Sequence, residues 1–130
     1  MTMEAGDPVI RVTAMPADLN PYGGVFGGWL MAQMALGAGS LASRKGQGKA
    51  VVVSASDFAF PGAMAVGDEL SVYAHVQAVG RTSLTVRADA ISRERNGEAR
   101  LQVATGTFKF VMIDEAGQPR NVDMLQGAAA

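Results

Sequence analysis

The sequence predicts an α+β fold in which one long apolar helix lies across a five-stranded antiparallel sheet. Three observations support this. Residues 29–43 are almost entirely apolar or small, show no clearly polar face, and have glycines on both sides. From residue 50 onward, apolar and polar residues alternate with a period of two, which is typical of strands with one covered face. A single helix ahead of such strands can be covered only by lying across their sheet.

The elements follow one another in a simple order. Val9–Met15 reads as a short first strand that ends at a proline, and a turn-rich loop follows over residues 17–27. The helix is predicted from about Gly28 to Ser43. Its C-terminal end carries two basic residues, which suit the helix dipole, and a Gly-Gln-Gly sequence then stops it.

Four longer strands complete the sheet. The first covers Ala50–Phe60, which is rich in β-branched residues, and the others cover residues 70–78, 83–90 and 101–113. In the last strand, Leu101, Val103, Thr105 and Thr107 alternate with Gln102, Ala104, Gly106 and Phe108. Because such a sheet leaves an exposed edge, the Ala50–Phe60 strand is a candidate to pair with its twin in a dimer.

Composition limits the possible functions. The 130 residues fit one domain, 1–130, with residues 1–8 and 123–130 expected to be flexible. The absence of cysteine excludes disulfides, thiolate catalysis and cysteine-based zinc sites, and it fits a reducing compartment such as the cytoplasm. A net charge of −1 without a long basic run argues against nucleic-acid binding.

The sequence predicts neither a signal peptide nor a membrane-spanning helix. The acidic N-terminus has no apolar core, so it does not resemble a signal peptide. The uncharged stretch 19–43 is long enough to span a bilayer. However, its Pro, its several Gly residues and the central Gln33 favour a buried core helix, and no membrane insertion is expected.

The segment Asn20–Ala35, with its Phe-Gly-Gly-Trp sequence ahead of an apolar helix, resembles the start of the helix in hot-dog acyl-CoA thioesterases of the YciA-like bacterial group. The resemblance covers roughly residues 10–122 and includes short matches at 15–18, 65–69, 80–83 and 110–114. It implies a hot-dog fold and hydrolysis of an acyl-CoA thioester, with no cofactor or metal beyond the coenzyme A of the substrate. It also implies a homodimer or a higher assembly such as a hexamer.

The residues at the start of the helix suit thioester chemistry. Gly27 and Gly28 lie where free backbone N–H groups point outward, and these groups could stabilise the oxyanion of an attacked thioester. The alternative is that the glycines only allow tight packing. The resemblance implies that Asn20 holds the substrate carbonyl or the attacking water, and the alternative is a turn-former before Pro21.

The sequence departs from the family pattern at one catalytic position. The resemblance implies an acidic general base or nucleophile seven positions after the second glycine, where this chain has Ala35. Asp57 is the best substitute, because it is a carboxylate within an apolar strand and could act as a base. The family has its own acidic residue one position earlier, at Ser56, so the alternative for Asp57 is a charge at a strand bulge or dimer edge.

Other candidate contacts with the substrate are spread along the chain. The resemblance places Arg81, Thr82 and Ser83 near the coenzyme A moiety, where Arg81 could pair with phosphate, and a solvated arginine is the equal alternative. The remaining candidates are Phe26, Gly27, Trp29, Gln33 and Phe58. The single histidine, His75, falls on a polar strand face, and no histidine lies near the start of the helix, which argues against hydratase or dehydratase chemistry.

The leading hypothesis is therefore an acyl-CoA thioesterase that releases the free acid and coenzyme A. The absence of an acid at Ala35 keeps open a non-hydrolytic paralogue that binds acyl-CoA or a small ligand. A purely structural or interaction module is the third hypothesis.

Overall fold

The computed structural model describes residues 6–124, so most of the expectation about flexible chain ends lies outside the described residues. One helix, α1, packs on a single antiparallel sheet of five strands in the order β1-β3-β4-β5-β2. This confirms the predicted α+β architecture. The elements are β1 (Ile10–Thr13), a 3-10 turn (Pro16–Asp18), α1 (Gly27–Gly46), β2 (Lys49–Ala59), β3 (Glu69–Val79), β4 (Ser83–Arg93) and β5 (Arg100–Ile113).

The core lies between α1 and the inner face of the sheet. Leu30, Met34 and Leu41 of α1 are buried against alternate residues of the central strands, which are Leu70, Val72, Leu84, Val86, Ala88 and Ala90. The alternation predicted for β4 is thereby confirmed, and that of β3 holds as far as Val76, after which a bulge leaves Ala78 exposed. At Gly37 the helix comes so close to β1 that an added Cβ would lie 2.6 Å from Val9 Cγ2.

In β5 a bulge interrupts the alternation of the strand. Ala90 pairs with Ala104 while Ile91 pairs with Gln102, so Val103 forms a bulge with no partner of its own. The bulge shifts the pattern by one residue, because alternation restarts after an extra residue. As a result Gly106 and the aromatic residues that follow it face the helix, and the threonines at 105 and 107 lie on the outer face.

The helix is covered on one side only. Ala32, Leu36 and Ser40 form an exposed stripe at i, i+4 spacing, and the Leu36 side chain is 62% exposed. The sequence pattern predicted a helix surrounded by protein on all sides, and a single chain does not provide this. The absence of a polar face on α1 therefore indicates an additional contact surface as well as a core.

The two ends of α1 lie at opposite ends of the sheet. At the start, Gly27 lies next to the ring of Phe60, and at the end Gly46 contacts Met112 and Leu84. A helix of 20 residues is about 30 Å long, so these ends are well separated. Arg120 closes the C-terminal end, where its Nη2 donates to the carbonyl oxygens of Gly46 (2.9 Å) and Gln47 (3.0 Å).

Strand β2 forms one edge of the sheet, as predicted for the dimer-forming strand. It pairs with β5 on one side, and among the described residues no strand pairs with its other side. Val51, Val52 and Val53 are between 44% and 56% exposed. Exposed apolar side chains along a free strand edge are a surface that another copy of the chain could cover.

Candidate functional site

A tight loop leads into α1 and fixes the position of Asn20. The loop is closed by a bridge between Leu19 and Val25 and by a hydrogen bond from the Asn20 N–H to the Gly24 carbonyl (2.7 Å). Gly23 has a φ of +95°, which glycine adopts without strain. The Val25 N–H donates to the carbonyl of Met64 (3.1 Å), which ties the loop to the segment between β2 and β3.

The Asn20 side chain uses its two ends differently. Its Oδ1 accepts the backbone N–H groups of Tyr22 (2.8 Å) and Gly24 (3.2 Å), so Asn20 is a turn-former, as one reading of the sequence expects. These two bonds also fix the orientation of the amide, because the oxygen must face the donors. The Nδ2 group has no acceptor among the described residues and is left as a donor.

The first turn of α1 also leaves donors without partners. The N-cap residue is Phe26, which makes no side-chain capping bond, and its carbonyl oxygen accepts the N–H groups of Trp29 (3.0 Å) and Leu30 (3.2 Å). Among the described residues, the N–H groups of Gly27 and Gly28 have no acceptor. The lack of a polar N-cap residue destabilises the helix by about 1 kcal/mol, and it leaves the first backbone N–H groups without a side-chain acceptor.

A cavity of about 240 Å³ lies beside these donors. Asn20, Gly24 and Gly27 form its polar part, and apolar side chains form most of the rest. Its lining is Asn20, Gly24, Val25, Gly27, Leu30, Phe60, Gly62, Ala63 and Met64. The structure thus brings together Asn20 and Gly27, two of the residues that the sequence analysis selected, at one apolar cavity.

Several other predicted contacts are not part of the cavity lining. The Phe26 ring is 54% exposed and rests over Gly28, where an added Cβ would lie 2.4 Å from its Cε2. Trp29 and Gln33 are half-buried in the first two turns of α1. Phe58 packs over Gly106 and makes an edge-to-face contact with Phe108, with ring centroids 5.4 Å apart.

No carboxylate lines this cavity. Ala35 is half-buried on α1. Asp57 is exposed at a bulge in β2, between the pairs Ser56–Thr107 and Ala59–Thr105, with a left-handed φ of +57°. The bulge matches the alternative that the sequence analysis gave for Asp57. Within its own chain, this carboxylate is not part of the cavity.

The predicted coenzyme A contacts lie at the other end of the sheet. Ser83 pairs with Val111, and Val111 pairs with Val51 near the start of β2, whereas the cavity lies beyond the end of β2. Arg81 is exposed, and its side chain has no hydrogen bond or ion pair among the described residues. With about 3.3 Å per residue, the 11 residues of β4 separate this hairpin from the cavity by roughly 30 Å.

The sequence pattern did not select the residues that form the apolar wall. Phe60, predicted as the last residue of a strand, and Met64 lie on either side of a Pro-Gly turn and belong to no strand of the structure. The signal that could have found them is a pair of large apolar residues next to a Pro-Gly turn, where polar residues are usual. His75 is exposed on the outer face of β3 opposite Arg87, which confirms it as a surface residue.

Within residues 6–124, the one long helix is not apolar enough over sufficient length to cross a bilayer. Residues 22–99 match the sequence profile of the thioesterase superfamily.

Two curated relatives and one solved structure are similar over nearly the whole chain. An uncharacterised acyl-CoA thioester hydrolase of Zymomonas mobilis is 42% identical over 118 residues, which cover 91% of this chain and 79% of the relative. The acyl-CoA thioester hydrolase YciA of Escherichia coli is 38% identical, with 88% and 89% covered. The hexameric thioesterase of Yersinia pestis is 34% identical and superimposes with a TM-score of 0.87, covering 93% of this chain and 99% of that one.

Proposed function

The chain belongs to the thioesterase superfamily, and from this premise we propose that it hydrolyses acyl-CoA thioesters to the free acid and coenzyme A. The observation that carries the proposal is the group of donors at the start of α1: the N–H group of Gly27 and the Nδ2 group of Asn20, which belong to residues of the cavity lining, and the N–H group of Gly28, the next residue of the helix. Such donors stabilise an oxygen that becomes negative during acyl transfer.

In the proposed reaction, the thioester carbonyl oxygen accepts hydrogen bonds from the two glycine amides. A water molecule attacks the carbonyl carbon, and the resulting oxyanion is held by the same donors. The oxyanion then collapses, the carbon–sulfur bond breaks, and the thiolate of coenzyme A takes up a proton as it leaves. Asn20 holds the carbonyl or the water through Nδ2, while its Oδ1 stays bound to the loop.

The base that accepts the proton of water is assigned to Asp57. Two observations support the choice: α1 contains no acidic residue, and Asp57 occupies a backbone conformation that favours glycine. Residues held in such conformations cluster at functional sites. Because Asp57 lies two residues before the end of β2, on the side of its own chain's cavity but outside the lining, we propose that it serves that cavity once a second copy covers the β2 edge.

Self-association through β2 would also bring Arg81 of one protomer near the cavity of the other. Antiparallel pairing of two β2 edges places the end of one strand beside the start of the other. The cavity of one protomer would then lie near the hairpin of its partner that carries Arg81, Thr82 and Ser83, which could contact coenzyme A across the dimer. We propose a dimer as the functional unit, with a hexamer as in the Yersinia thioesterase as a further assembly. A cytoplasmic location stays a prediction.

The test of the function is thiol release from a panel of acyl-CoAs by the purified protein. We expect release well above the uncatalysed rate for at least one chain length. Absence of release across the panel, from protein shown to be folded by circular dichroism, would reject the proposal and leave a non-hydrolytic binder.

Two replacements of Asp57 separate its charge from its backbone conformation. Asp57→Asn removes the charge and keeps a residue that tolerates positive φ, and it should lower kcat by about 10²-fold or more. Asp57→Gly should show a similar loss while raising the melting temperature by a few degrees, because glycine relieves strain of about 1 kcal/mol. Unchanged turnover in both variants would remove Asp57 from the mechanism.

A further inference from the structure

We infer that the cavity beside Gly27 holds the acyl chain, and that Met64 and Ala63 set the length of chain that the protein accepts. The inference rests on the proposed function, since it assigns one part of the same site. Its basis is the way polar and apolar groups divide around the cavity.

The polar lining residues come from the loop before α1 and from the first residue of the helix. Asn20 and Gly27 present donors, and an added Cβ at Gly24 would be in ordinary contact with Nδ2 of Asn20, at 3.6 Å. The other lining side chains are apolar, and three of them, Val25 (9% exposed), Leu30 (4%) and Met64 (3%), are buried. A thioester bound with its carbonyl at the amides would therefore extend its hydrocarbon chain into an apolar space.

The size of the cavity limits the chain. A methylene occupies about as much space as a water molecule, roughly 30 Å³, so 240 Å³ holds about eight such groups. We therefore assign acyl chains of about six to eight carbons as the preferred substrates. Each methylene buried should raise affinity about fourfold until the cavity is full, and carbons beyond that point should add little.

Replacement of two residues in the cavity wall should change the cavity volume in opposite directions. Ala63 is an exposed lining residue, so Ala63→Phe adds a ring from the rim without altering the core. The added ring, of roughly 100 Å³, takes the room of about three methylenes. Met64 is a buried lining residue, so Met64→Ala should deepen the cavity, and its fold must be checked by thermal denaturation. Ala65→Phe makes the same change as the first variant at an exposed neighbour outside the cavity, and it serves as the matched control.

The experiment measures binding and turnover side by side. Binding uses S-(2-oxoalkyl)-CoA thioethers with chains of about two to twelve carbons, which keep a carbonyl but cannot be hydrolysed, in isothermal titration calorimetry. Turnover uses the matching acyl-CoAs. We expect affinity to rise about fourfold per carbon to a plateau near eight carbons in the native protein and the Ala65→Phe control. The plateau should come about three carbons earlier in Ala63→Phe and later in Met64→Ala.

The possible failures can be told apart. If the analogues bind with the expected profile but no acyl-CoA is hydrolysed, the proposed function fails and the assignment of the acyl cavity stands. If acyl-CoAs are hydrolysed but the profile of Ala63→Phe equals that of the native protein, the acyl chain lies elsewhere and the inference is overturned. An equal shift in Ala63→Phe and Ala65→Phe would also overturn it.

Discussion

Replacement of Asn20 by aspartate separates the two roles of this side chain. In the structure, Oδ1 accepts two backbone N–H groups of the loop, and Nδ2 is the end left free at the cavity. Aspartate keeps an oxygen in the position of Oδ1, but it replaces the free donor with an acceptor that carries negative charge. The variant should therefore preserve the loop and remove the contact to the substrate.

The expected changes in the free energy of unfolding and in kcat differ in size. Both loop hydrogen bonds remain, and a negative charge near the start of α1 is favourable by about 0.3–1 kcal/mol, so the free energy of unfolding should stay the same or rise slightly. Loss of one donor to a developing oxyanion costs about 10²–10³-fold in kcat, equal to about 2.7–4 kcal/mol. By contrast, Asn20→Ala removes both loop bonds, and it should lower stability by about 1–2 kcal/mol as well as activity.

The assay combines thermal denaturation with steady-state thiol release from one acyl-CoA. Asn96→Asp serves as the control, because it makes the same chemical change at an exposed turn between β4 and β5, away from the cavity. We expect native stability in both aspartate variants and a large loss of kcat only in Asn20→Asp. If Asn20→Asp keeps kcat within about threefold of the native value, Asn20 is only a turn-former and its proposed contact to the substrate is wrong.

Three further predictions follow from single positions. Gly27→Ala should fold normally, since the added Cβ lies 3.6 Å from the nearest Phe60 atom. It should lower kcat/KM about tenfold, because the Cβ crowds the backbone amide that binds the substrate carbonyl. A kcat/KM equal to the native value would show that no carbonyl approaches the Gly27 amide. Ala35→Asp should raise kcat about tenfold or more if the missing helix acid limits the rate, which a pH–rate profile can check. Arg120→Ala should lower stability by about 1–2 kcal/mol in denaturant titrations, because it uncaps the end of α1, and it should leave turnover unchanged.

Local patterns in the sequence were sufficient to predict the elements. The apolar stretch after Gly28 predicted α1, and period-two alternation predicted the inner face of β4 and that of β3 as far as Val76. The Ala50–Phe60 strand was also a predicted candidate for a sheet edge, and β2 does lie at an edge; its partner there is β5 and not β3, the next strand along the chain. These features depend on residues close together in the chain, where the period of apolar side chains reports directly on backbone geometry.

Tertiary structure decided the features that depend on pairing between distant segments. The bulge at Val103 decides which side chains of β5 face the helix, because strand register is set by the partner strand and cannot be read from one strand alone. The same holds for the bulge that gives Asp57 its left-handed backbone.

The start of α1 shows both contributions. The sequence by itself determined Gly27 and Gly28 as candidate donors, since their place at the start of a helix is a local property, and the resemblance to hot-dog thioesterases added Asn20. Only the folded chain showed that Phe60 and Met64, more than 30 residues further along, complete an apolar cavity around them. Only the folded chain also separated Arg81 from that cavity by the length of the sheet. The physical reason is that a binding site depends on distances in space, whereas a sequence pattern records separations along the chain.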